Sequence, residues 1–97
     1  MKIKTQAVNF NVQDSLLEFL DKKLNKLEVF YDRIIGAKVY LKLENGSEKS
    51  NKTVEIVLQV PGNDLTAIKT SESFEESINS ACDALKKMII KKKEKTA

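Results

Sequence analysis

A chain of 97 residues, 41% hydrophobic and 32% charged, suits one domain with a modest core and leaves no room for a second. No apolar run approaches the roughly 20 residues that span a bilayer. The start, Met1-Lys2-Ile3-Lys4-Thr5, lacks the apolar h-region of a signal peptide, and the lone Cys82 excludes an internal disulfide, so a cytoplasmic protein is expected. The net charge is only +3, but it is unevenly spread: residues 1–85 carry 11 basic and 13 acidic side chains, whereas residues 86–97 carry six lysines and only Glu94. A basic end of this kind attracts polyanions, of which nucleic acid is the commonest, or it is a solvated helix end whose lysines complement the macrodipole.

In chain order, residues 3–10 read as a strand whose alternation is imperfect, since Ile3 and Phe10 differ in parity; a bulge or a two-sided strand would explain that. Asp14 is the expected N-cap of a helix over 15–31. At about 100° per residue, Leu16, Leu17, Leu20, Leu24, Leu27 and Tyr31 form one stripe with Phe19 and Phe30 at its edge. Lys22, Lys23 and Lys26 run along one flank of that stripe, and Asp21 and Glu28 along the other. A helix needing only solubility would mix the signs.

From Gly36 the period becomes two. Val39, Leu41 and Leu43 alternate with Lys38, Tyr40 and Lys42, and after a polar loop at Asn45–Asn51 come Val54, Ile56, Leu58 and Val60. Pro61-Gly62-Asn63-Asp64 is a turn before a short strand over 65–70. The last helix begins at Ser71 or Ser73, and Ser73 with Glu76 matches a capping box. Phe74, Ile78, Ala81, Cys82, Leu85, Met88 and Ile89 share a face; Lys87, Lys91 and Lys95 lie along one flank of it and Lys86 on the opposite side. The order strand, helix, three strands, helix predicts an α+β fold, a two-layer β-α-β-β-β-α sandwich with both helices on one face of a four-stranded sheet. A right-handed crossover should join a parallel first pair of strands, and a meander should follow. Residues 1–97 form one domain, with 92–97 open to being a flexible lysine-rich tail.

The chain has no histidine, which removes serine- and cysteine-histidine nucleophile systems and histidine-ligated metals. Its three glycines stand alone at bends, so no phosphate loop exists. Glu75-Glu76 reads as helix-start charge, and Cys82, between Ile78 and Leu85, as a core residue. These features argue against an enzyme; no catalytic residues, metal, cofactor, small-molecule substrate or membrane partner are expected. What remains is binding. If the helices pack side by side, their basic flanks could converge into a groove or ridge that meets several phosphates with little base specificity. Tyr40 is the one aromatic expected to face solvent on the sheet, which argues against a stacking platform.

The run Lys22-Lys23-Leu24-Asn25-Lys26-Leu27-Glu28-Val29-Phe30, followed by Asp32-Arg33-Ile34, resembles the signature helix of the ribosome hibernation-promoting factor and ribosome-associated inhibitor A family, also called the sigma-54 modulation protein family. Val39–Glu44, Val54–Gly62 and Ser73–Ile78 match in register, so the resemblance covers essentially the whole chain. It implies the same β-α-β-β-β-α fold, similar to double-stranded RNA-binding domains. It also implies a bacterial factor that binds the small ribosomal subunit between head and body, over the mRNA channel and the A and P tRNA sites, and blocks initiation in stationary phase or stress. The ribosomal RNA-binding positions it implies are Lys22, Lys23 and Lys26, Arg33, and Lys87 and Lys91. Where the family often has Asp-Lys-Leu this chain has Asp83-Ala84-Leu85, with Lys86 as a substitute contact. The match is to the short type, without the dimerisation domain of long members; pairing of ribosomes with an additional ribosome-dimerisation factor is left open. Two other readings compete. One is a protein-interaction module or homodimer using the sheet face around Lys38, Tyr40 and Lys42. The other is a free RNA-binding domain acting on structured transcripts.

Overall fold

Alternation sets the strands, and the computed structural model shows where it stops. The model describes residues 1–44 and 50–96, residues 95 and 96 by their backbone alone; most of the expected Asn45–Asn51 loop lies outside the described residues. Strand β1 (Lys2–Val8) exposes Lys2, Lys4 and Gln6 and turns Ile3, Thr5 and Ala7 inward. It ends without a bulge. Asn9 takes φ 73°, a left-handed conformation that a short polar side chain tolerates. That turn carries Phe10 across to Phe74, their rings stacked with centroids 4.8 Å apart.

Helix α1 (Asp14–Phe30) starts one residue before the expected position. Gln13, in extended backbone, is the N-cap, and its carbonyl accepts the Leu16 and Leu17 N–H groups. Asp14 therefore sits within the first turn, where its carboxylate still faces the positive end of the helix dipole. Strands β2 (Gly36–Leu43), β3 (Lys52–Gln59) and β4 (Leu65–Ser71) follow, then helix α2 (Phe74–Thr96). Ser73 caps α2, its Oγ accepting the Glu76 N–H at 3.1 Å. The helix is continuous to Thr96, across most of the lysine-rich segment.

The sheet order is β1-β2-β3-β4, with β1 parallel to β2 and the later pairs antiparallel. Ala37, Val39 and Leu41 of β2 pair across to Leu58, Ile56 and Val54 of β3, all essentially buried. They join Leu20, Leu24 and Leu27 of α1 and Ile78, Ala81, Leu85 and Ile89 of α2 in one core. Both helices thus cover the same sheet face, the two-layer α+β sandwich expected from the periodicities. Fully buried Ser77 fastens α2 to the sheet by donating to the Lys52 carbonyl oxygen at 2.6 Å. Because β1 and β4 run the same way, α1 and α2 both return against them, and their amino termini lie at one end. Among the described residues no helix is long and apolar enough to cross a membrane.

Candidate nucleic-acid interface

The segregation of charge on α1 follows from what each flank meets. Its acidic flank hangs over β1. Asp21 and Asn25 border a cavity with Met1, Ile3, Thr5 and Leu17, and the Glu28 carboxylate accepts the amino-terminal ammonium of Met1. Its basic flank turns the other way, toward α2. There Lys23, Lys26, Leu27 and Phe30 face Asn79, Cys82, Asp83 and Lys86 across a groove of about 180 Å³. Spacings of three, four and seven residues put each set on one side of its own helix, so the two rows confront each other along the interhelical seam.

Phe30 is the centre of this seam. It ends α1 and is 37% exposed, which leaves part of its ring open. The Lys86 ammonium stands 5.2 Å from the ring centroid and that of Lys93 5.0 Å, both within cation–π range. Lys93 also donates to the Phe30 carbonyl oxygen at 3.3 Å. About two turns earlier on α1, the Lys23 ammonium lies 5.5 Å from the Phe19 ring. Lys22 belongs to the outer side of α1, where it borders a shallow apolar depression with Phe19, Lys26 and the 90%-exposed Val29. Arg33 is exposed in the turn between α1 and β2.

Of the residues singled out in the sequence, the structure brings Lys23, Lys26 and Lys86 together in the groove, with Lys22 beside it. Lys87 and Lys91 are exposed but follow Lys86 by one and five residues, which rotates them about 100° and 140° further around α2, away from α1. The side chain of Lys95 is outside the described residues. The late flank that meets α1 is therefore the Lys86 side, extended by Lys93, and the Lys87–Lys91 side looks outward. Sequence reasoning missed Phe30, Lys93, Asn79 and Asp83. Phe30 was visible only as an edge residue of the stripe, and Lys93 only as lying seven residues beyond Lys86.

At the floor of the groove Cys82 is 7% exposed. Burial pushes its thiol up to about 11, with Lys23 pulling down and Asp83 adding a little more. It is a neutral core group at physiological pH and no nucleophile. What the site offers is a row of ammonium groups on two rigid helices around an aromatic ring. That arrangement presents positive charge along a line beside an open aromatic face.

A family model described as sigma 54 modulation protein / S30EA ribosomal protein matches residues 3–97. The ribosome hibernation promoting factor of Escherichia coli (strain K12) is 30% identical over 95 residues, covering 98% of this chain and 96% of its own length. That of Azotobacter vinelandii is 28% identical over 95 residues, covering 98% and 85%. Among solved structures, a ribosomal subunit interface protein from Coxiella burnetii has the same fold, with a TM-score of 0.85 at 20% identity over 97% of this chain and 99% of that one. With its fold, its signature helix and 95 matched residues in agreement, the chain belongs to the sigma 54 modulation protein / S30EA ribosomal protein family.

Proposed function

We propose that this protein is a bacterial ribosome hibernation factor. In this reading it docks on ribosomal RNA of the small subunit, over the mRNA channel and the A and P tRNA sites, through the basic seam between α1 and α2, and holds translation silent. It acts in the cytoplasm and by occupancy, without turning over a substrate. The observation that carries the reading is the convergence of Lys23, Lys26 and Lys86 from two helices on one groove. The names of the relatives supply the class of partner. Each ammonium that meets a phosphate releases condensed counterions, so affinity comes largely from the polyanion and falls with salt. Lys22 on the outer side of α1 and Arg33, exposed in the turn after it, extend the footprint along the RNA, and Lys87 and Lys91 offer contacts on the outer side of α2.

The test is cosedimentation with separated ribosomal subunits at low and high salt. The protein should pellet with the small subunit at low salt and be released as salt rises. Pelleting with the large subunit only, or with neither, contradicts the proposal.

A further inference from the structure

The lysine groove contains a carboxylate. Asp83 lines it opposite Lys23 and Lys26, four residues beyond Asn79 and therefore on the same side of α2. A surface built only to hold phosphates gains nothing from an acid there, since it repels them. No ion pair within 4 Å neutralises Asp83 among the described residues. Beside it are the half-open ring of Phe30 and the amide of Asn79, in a recess of about 180 Å³ with buried Leu27 and Cys82 at its floor. An aromatic face, an amide and a carboxylate are the parts that receive an unstacked base: the ring takes its π-face, the amide and carboxylate take its edge, and the lysines take the flanking phosphates.

Resting on the ribosomal RNA reading above, we propose that this groove captures a single unpaired nucleobase bearing an exocyclic amine, with cytosine as the fitting case. Phe30 stacks on the base, and Asp83 accepts its N4 amino hydrogens. Asn79 satisfies the neighbouring carbonyl or ring nitrogen. Lys86 and Lys93 swing from the Phe30 ring to the phosphates on either side. Uracil has the same size but offers a carbonyl oxygen where cytosine has the amine. It would set oxygen against the Asp83 carboxylate and be refused.

The experiment uses RNA hairpins that differ only in one unpaired loop nucleotide, cytosine or uracil, titrated against the full chain by fluorescence anisotropy at fixed salt. The wild type should prefer cytosine by roughly tenfold, the size of one good edge contact. Asp83→Asn, whose amide can donate to a carbonyl, should erase or invert that preference. Phe30→Leu should weaken both hairpins about fivefold or more while leaving their ratio, since stacking is indifferent to the edge. Equal wild-type affinity for the two hairpins, no binding to either, or a preference that survives Asp83→Asn overturns the proposal. Wild-type cosedimentation with the small subunit, run in parallel, reports on the wider reading. If it persists while the hairpins are not discriminated, only the base-reading groove falls; if it is absent, the ribosome reading falls.

Discussion

Lys93 on α2 donates from Nζ to the carbonyl oxygen of Phe30, the last residue of α1, at 3.3 Å, and the same ammonium stands 5.0 Å from the centre of the Phe30 ring. Helix α1 has no basic residue in its own last turn, so the cation that complements its negative end comes from its neighbour. One side chain thus serves the end of one helix and ties the two helices together where the basic seam lies. Lys93→Ala should remove about 0.5–1 kcal/mol of stability. A domain this small would then melt a few degrees lower. Thermal unfolding followed by far-ultraviolet circular dichroism measures this, with Lys93→Arg as the variant that keeps most of the contact. An unchanged midpoint in Lys93→Ala contradicts the assigned role.

Gly36 fixes how closely β1 approaches β2. A Cβ at that position would lie 2.8 Å from the Lys2 carbonyl oxygen and 2.9 Å from Gln59 Oε1. The glutamine tip can swing aside, but the strand carbonyl cannot move without disturbing the parallel pair in which Gly36 opposes Lys2. Gly36→Ala should therefore cost about 1–3 kcal/mol, the usual penalty of overpacking. Urea denaturation should show a lower midpoint at an unchanged slope.

Cys82 gives the fold a pH dependence of known sign. Its thiol is raised by burial from 9.0 to about 11, so the folded protein keeps the proton longer than the unfolded chain does. Its contribution is complete below about pH 9 and is lost as pH climbs toward 11. Urea midpoints over this range should fall more steeply for the wild type than for Cys82→Val, which lacks the titrating group. Thiol-specific alkylation at pH 8 should be slow in the native protein and accelerate when it unfolds. Fast native alkylation contradicts the buried, neutral assignment.

Most of the fold is legible in the sequence because each element declares its own period. Leu20, Leu24 and Leu27 repeat every three or four residues, and Val54, Ile56 and Leu58 every two, and each set is buried. The misses lie where a single backbone angle or a tertiary neighbour decides. Phe10 reads as part of β1 by its apolar character, but the left-handed turn at Asn9 takes it out of the strand. Asp14 is the better capping residue by type, yet Gln13 holds the N-cap through its backbone carbonyl alone. The site divides the same way. A helical wheel places Lys86 and Lys87 on different sides of α2, but it cannot say which side meets α1. That choice depends on the strand order, which sets α2 over β3 and β4 and leaves its Lys86 flank toward α1. Phe30 escaped for a related reason: a residue at the edge of an apolar stripe becomes core or groove according to how far apart the two helices stand.

The central claim, that RNA binding resides in the seam between the two helices, is tested most directly by charge reversal on its two sides. One variant carries Lys23→Glu, Lys26→Glu and Lys86→Glu, and the other carries Lys87→Glu and Lys91→Glu. Small-subunit binding is measured for both across a series of salt concentrations, with circular dichroism to confirm folding. The seam variant should lose binding, and the outer variant should keep most of it. Each seam lysine changed singly to alanine should lower the slope of log affinity against log salt by about one unit or slightly less. Full binding by a folded seam variant, with loss in the outer one, would contradict the account.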